Sequence, residues 1–224
     1  MNGKWQRLLA AAYGALVVTH LIAQLSDAIQ LADITQWVAM PLLAAAFLAA
    51  RPSTTTGLTR FVLLALFFSW LGDALPDFFS GDTAFLVMVG SFLFTQIAYI
   101  AAFLPWRRTS YLRSPMLILY IAAIGLLVYL CAPNAGGLLV PVLIYGAALG
   151  TMAVLASGLN LLTTIGGALF LVSDGLIAIG AFASDIDIPH ASFWIMLTYL
   201  VGQALLAYGV LRKVPNARRV LAQG

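Results

Sequence analysis

The sequence predicts an all-α fold, a polytopic membrane bundle of eight transmembrane helices. Three observations predict it. The chain is 62% hydrophobic and 8% charged, whereas soluble domains are about 45–50% apolar and about 25% charged. Eight apolar runs approach the roughly 20 residues that a span requires. The connections between those runs alternate in charge along the chain.

The first span is read at 6–24, behind Lys4 and Arg7. It is long, and the acidic loop carrying Asp27 and Asp33 follows it without a small-residue cleavage site, so it is not read as a signal peptide. The second span, 35–50, is short and contains Pro41. Arg51 and Arg60 precede the third, 60–80, which carries Asp73 and Asp77. Asp82 leads into the fourth, 84–105, and Arg107, Arg108 and Arg113 into the fifth, 114–132. The sixth covers 137–157 and the seventh, with Asp174, covers 161–182. Asp185, Asp187 and His190 precede the eighth, 191–212, which ends among Arg212, Lys213, Arg218 and Arg219. Every one of the 11 Lys and Arg residues therefore falls on one side. The positive-inside rule makes that side cytoplasmic and places both termini there, as an even span count also requires. The mean hydropathy of +1.01 and the pI near 9.2 fit a membrane protein with basic anchors. No basic patch interleaved with aromatics suggests nucleic acid.

One bundle over 1–224 is the expected domain, with internal echoes. Pro41 and Pro141 stand 100 positions apart, Asp73 and Asp174 stand 101 apart, and spans 4 and 8 each carry a Gln and a Tyr. These matches fit a parallel duplication of 6–105 onto 114–212, related by an axis along the membrane normal. Chance matching in a Leu/Ala-rich sequence is the alternative.

The buried acids carry the functional argument. An ionisable residue at the centre of a membrane helix costs about 2.5–3.5 kcal/mol on insertion scales and is by default functional. Spans 3 and 7 start on the same side, near 60 and 161, and each aspartate lies about 13 residues further on. At about 1.5 Å per residue both sit roughly 20 Å up the bilayer. If spans 3 and 7 are neighbours, the two carboxyls face each other. Two carboxyls in a low-dielectric site do not readily both ionise, which leaves one acid and one base, the equipment of general acid–base hydrolysis. The structural alternative is an Asp that hydrogen-bonds a neighbouring helix. Asp77 follows Pro76 near the outer end, where the helix breaks, and is read as an interfacial bystander.

Ser69, Ser173, Gln96, Tyr99, Tyr199 and Gln203 form the polar neighbourhood. They either orient a water or polar headgroup or make interhelical hydrogen bonds of about 0.6–2 kcal/mol. Tyr199 falls nearest the aspartates in height. Gly146 with Gly150, and Gly166 with Gly167 and Ala168, read as close helix packing. His20 reads as a satisfied bundle residue, His190 as solvated, and Cys131 as packed or lipid-facing. One cysteine allows neither an intrachain disulfide nor a cysteine metal site. Two histidines, one of them in a loop, cannot build a three-histidine zinc site. No G-x-S-x-G, P-loop or G-x-G-x-x-G occurs.

The order of Ser69-Trp-Leu-Gly-Asp-Ala-Leu75, Phe92-Leu-Phe-Thr-Gln-Ile-Ala-Tyr99, Gly167-Ala-Leu-Phe-Leu-Val-Ser-Asp174 and Tyr199-Leu-Val-Gly-Gln203 resembles the YhhN-like lysoplasmalogenase family of eight-helix membrane proteins. The resemblance implies hydrolysis of the vinyl-ether bond of a lysoplasmalogen, giving a fatty aldehyde and a glycerophospho-base. It implies Asp73 and Asp174 as the catalytic pair, a lysophospholipid substrate, no cofactor and no metal. A bacterial inner membrane is the expected location. Two positions depart from the family pattern: Met40 stands where many members have Lys, and Gln96 where many have His. In such a mechanism a protonated Asp supplies a proton to carbon, and its ionised partner stabilises the resulting cation and activates water. An intramembrane aspartyl protease is a rival reading, although Trp70 precedes Leu71-Gly72-Asp73 and no Tyr-Asp partner motif occurs. A proton-coupled lipid or solute transporter is the other.

Overall fold

Among the described residues, eight long helices occupy the eight predicted spans. The computed structural model describes residues 3–50, 56–183 and 185–213. Arg51, Arg218 and Arg219 of the basic side lie outside the described residues. The helices are α1 (Gly3–Leu25), α2 (Ile29–Ala50), α3 (Gly57–Ala74), α4 (Gly81–Phe103), α5 (Leu117–Cys131), α6 (Leu139–Ala156), α7 (Leu161–Phe182) and α8 (Ala191–Lys213). Extended by the short 3-10 turns at some of their ends, all eight are long and apolar enough to cross a membrane.

Most starts fall within three residues of the sequence reading and that of α2 differs by six; those of α2 and α3 have local causes. The second helix is not short. Asp27 takes a left-handed backbone, φ 53°, a conformation Asp tolerates better than most residues. The chain thus turns within Ser26–Ala28 and α2 begins at once. Asp33 stays exposed on its first turns while Ala32 and Thr35 are buried. α3 begins at Gly57 instead of 60 because Thr56 caps it, in a reciprocal capping box with Thr59. Asn160 and Thr163 make the same box at the start of α7. Asp73 is therefore 16 residues past Gly57 (73 − 57), whereas Asp174 is 13 past Leu161 (174 − 161). The two acids are offset by about 4.5 Å along their helices at about 1.5 Å per residue.

The main packed pairs are α1–α2, α3–α4 and α7–α8, with α4 also against α6. α3 and α7 are not a closely packed pair; α8 packs on both. The shared core runs through Met40, Leu66, Tyr99, Phe103, Phe170 and Leu200. α5 is peripheral. Ile118, Leu119, Ile121 and Leu126 remain exposed, as lipid-facing side chains do.

Glycines set the closest approaches. A Cβ on Gly166 would stand 2.8 Å from the Gly202 carbonyl oxygen, so the backbones of α7 and α8 touch there. A Cβ on Gly167 would meet that of Ala156 at 3.0 Å, which brings α6 equally near. Gly146 does not behave as its spacing suggested. Nothing lies within 4 Å of its Cβ position, and Gly150 meets only the Ile124 side chain. Both border an apolar crevice between α5 and α6 instead of a tight crossing.

Candidate active site

Both predicted carboxylates are buried. Asp73 is 5% exposed and Asp174 7%. Each is held by a tyrosine from another helix. Tyr199 of α8 donates to Asp73 Oδ2 at 2.8 Å. Tyr145 of α6 donates to Asp174 Oδ2. A buried carboxylate needs such donors, because burial without a partner costs several kcal/mol. Among the described residues, no side chain hydrogen-bonds both acids.

Tyr145 was not singled out in the sequence. Its cue was available: a tyrosine in mid-span must find a partner for its hydroxyl. Gln96 extends the contact, with Nε2 donating to the Tyr145 oxygen at 3.3 Å. Gln96 is fully buried, and its Oε1 is, among the described residues, the one buried side-chain polar atom without a partner.

Ser69, Tyr99 and Gln203 gather in a second network. Tyr99 donates to Gln203 Oε1 at 2.6 Å, and Gln203 Nε2 donates to Ser69 Oγ at 2.8 Å. Ser69 and Thr95 lie 3.1 Å apart, and Thr95 donates to the Ala65 carbonyl. Donation from Ser69 to Thr95 completes a chain that runs one way and leaves no member wanting. It ties α4, α8 and α3 together, which favours the interhelical reading of these residues over substrate contact. Ser173 turns toward α8, where it donates to the Ile195 carbonyl at 3.1 Å.

The neighbours with simpler readings stand apart from the carboxylates. α3 ends at Ala74, and exposed Asp77 lies in the following 3-10 turn, where Trp37 Nε1 donates to it at 2.9 Å. His20 is satisfied on both nitrogens. Thr35 spends its proton on the Leu31 carbonyl, so it accepts from His20 Nδ1 at 2.8 Å, and Gln24 donates to Nε2 at 3.4 Å. Cys131 is buried with Ala135 and Phe182. His190 is exposed, with φ 55°.

A narrow cleft of about 40 Å³ opens between α4, α6 and α7. Holding one water takes about 10–15 Å³ of such space, so the cleft has room for a few waters and a longer guest must displace side chains. Its walls follow helical spacing: Phe85, Met88, Val89 and Phe92 on α4, Val142 and Tyr145 on α6, Asp174, Ile177, Ala178 and Phe182 on α7. Phe85 and Phe182 meet edge to face, 5.3 Å apart, toward the end of α4 and α7 that carries the acidic connections. Asp73 is not a wall of this cleft. Phe92 lines the cleft and packs edge-on against Tyr199 at 5.7 Å, and Tyr199 in turn holds Asp73. Phe170 completes an aromatic trio, 6.2 Å from Phe92 and 5.6 Å from Tyr199. Gly72 seats it: a Cβ there would stand 2.8 Å from the Phe92 ring. Among the described residues, no group of three or more His, Cys, Asp or Glu comes together as a metal site.

Eight apolar helices among the described residues make this chain an integral membrane protein, with two buried carboxylates inside its bundle, each hydrogen-bonded to its own tyrosine. The chain belongs to the YhhN family, whose model matches residues 31–210. It is similar to two proteins named lysoplasmalogenase, from Mycobacterium bovis (strain ATCC BAA-935 / AF2122/97) and Mycobacterium tuberculosis (strain CDC 1551 / Oshkosh). Identity to each is 30% over 168 residues, which is 70% of this chain and 63% of each relative. The match thus spans less than two thirds of those relatives' length. No solved structure is a significant match.

Proposed function

We propose that this protein is a membrane-embedded hydrolase that cleaves the vinyl-ether bond of a lysoplasmalogen through Asp73 and Asp174. The observation that carries the reading is the pair of buried carboxylates, each gripped by a tyrosine, in a chain whose relatives are named lysoplasmalogenase. The chemistry needs little more. A carboxylic acid protonates the alkenyl carbon distal to the ether oxygen, and the double-bond electrons form the new C–H bond. The oxocarbenium ion that results is stabilised by carboxylate charge in a low-dielectric site. Water adds, a carboxylate takes its proton, and the hemiacetal collapses to a fatty aldehyde and a glycerophospho-base. A single-chain lipid enters sideways from the bilayer and displaces the cleft's flexible walls, Met88 among them. Ser69, Tyr99, Ser173 and Gln203 hold the helices that carry the acids.

The same reading keeps both termini cytoplasmic and the two halves as parallel repeats. The matching capping boxes of α3 and α7 support the repeat, as do the adjacencies α2–α3–α4 and α6–α7–α8.

The test is aldehyde release from lysoplasmalogen by protein purified in detergent, where no gradient exists to drive a transporter. Asp73→Asn and Asp174→Asn should each lower turnover by about 10²–10⁴-fold, the range for loss of a general acid or base, while the melting temperature shows a folded protein. Near-normal turnover in either folded variant defeats the two-carboxylate mechanism. Cleavage of a transmembrane peptide without aldehyde release would turn the reading to a protease.

A further inference from the structure

We propose that Asp174 is the proton donor of the pair, and that Tyr145 and Gln96 form a hydrogen-bond relay that serves it in both protonation states. The inference rests on the hydrolase reading for its reaction, but not for its spectroscopic test. Two independent observations lead to it.

The first is access. Asp174 and Tyr145 line the cleft between α4, α6 and α7. Asp73 stands behind Phe92 and Tyr199. A proton delivered to a carbon atom must come from a group that touches that carbon, and of the two acids it is Asp174 that lines this cleft, which a chain would enter by displacing its walls. On this assignment Asp73, which accepts from Tyr199, is the partner that stays ionised.

The second is the unpartnered Oε1 of Gln96. Buried polar atoms are nearly always satisfied, so an orphan calls for an explanation. When Asp174 is ionised, the Tyr145 hydroxyl donates to it and the Tyr145 oxygen accepts from Gln96 Nε2. When Asp174 carries a proton, its O–H donates to the Tyr145 oxygen, and the Tyr145 hydroxyl needs a new acceptor. Rotation of the Gln96 amide by half a turn presents Oε1 to it. The triad holds two hydrogen bonds in either arrangement. Tyr145 turning its hydroxyl and Gln96 turning its amide thus let Asp174 lose and regain a proton without breaking the network.

In the reaction the Asp174 proton passes to the alkenyl carbon, leaving the Asp174 carboxylate beside the oxocarbenium ion. Water adds to the cationic carbon, and its proton returns to that carboxylate. Atoms and charge balance, and no co-reactant beyond water is consumed. Asp174 is the catalytic residue; Tyr145 and Gln96 are positioning residues.

Infrared spectroscopy of the purified protein in an ester-free detergent at neutral pH reads the relay directly, through the C=O stretch of a protonated carboxyl. The band should be present in the wild type and in Asp73→Asn, absent in Asp174→Asn, and displaced in Tyr145→Phe and Gln96→Met. Should Asp174→Asn fail to fold, Asp174→Glu keeps the acid and should shift the band. With lysoplasmalogen as substrate, Tyr145→Phe should lower kcat by about 10-fold or more with KM within about 2-fold, the pattern of a contact that matters after binding. A band lost in Asp73→Asn and kept in Asp174→Asn overturns the assignment, as does a wild type with no such band. An unchanged band and kcat in Tyr145→Phe, with Asp174→Asn inactive, overturns the relay and spares the hydrolase. The expected band pattern without aldehyde release supports the relay and defeats the hydrolase.

Discussion

At the scale of single residues, the site is a set of polar groups that apolar surroundings force into partnership. Tyr199 and Asp73 are both buried, so neither can exchange its partner for water. Tyr199→Phe therefore leaves a carboxyl without its donor. It should destabilise the protein by about 1.5–3 kcal/mol, the scale of a hydrogen bond to a charged group. Thermal unfolding in detergent measures this, with Tyr129→Phe as a neutral control, since Tyr129 is 77% exposed. Asp73, Asp174, Tyr199 and Gln203 were legible in the sequence because a lone polar residue stands out in an apolar run. Tyr145 was passed over although its hydroxyl was a cue, because no polar residue stands three or four positions from it as Gln203 does from Tyr199. The direction of the Tyr99–Gln203–Ser69–Thr95 chain could not be read either, since it depends on which hydroxyl faces which amide across three helices.

At the scale of helices, two groups of small residues had the same reading in sequence and behave differently. Gly166 lets α7 and α8 touch backbone to backbone, whereas Gly146 faces open space. Gly166→Val should push α7 and α8 apart and destabilise by about 1–3 kcal/mol, as overpacking does. Gly146→Ala should be neutral or slightly stabilising, because Ala is the better helix former. Melting temperatures of the two variants check both. The α7–α8 contact also bears on the site: Tyr199 lies one turn before Gly202 and Asp174 two turns after Gly166, so a shift of either helix moves a residue of the acid network. Spacing marks a residue as small, but it does not name the helix that will approach it. Likewise the early start of α2 rests on a left-handed Asp27, which no periodicity reveals.

At the scale of the whole molecule, the charge pattern predicts that the ends of α4 and α7 bearing Asp82 and Asp185 face outward. In a variant with Cys131→Ala, Asp82→Cys should react with a membrane-impermeant maleimide in intact bacterial cells. Arg113→Cys should react only after the cells are opened; both positions are exposed, so burial does not confound the comparison. The reverse pattern would invert the topology. What the sequence alone determined is the class: eight apolar spans, their order, the alternation of charge between their connections and the two acids that lipid should not tolerate. Hydropathy and charge act locally along the chain, so they can be read from it. Tertiary structure decided which tyrosine holds which acid, that α3 and α7 meet through α8, and that Asp174 borders a cleft while Asp73 does not. Those facts depend on how helices rotate and cross, and that is settled by side-chain volume and hydrogen-bond completion between segments distant in sequence.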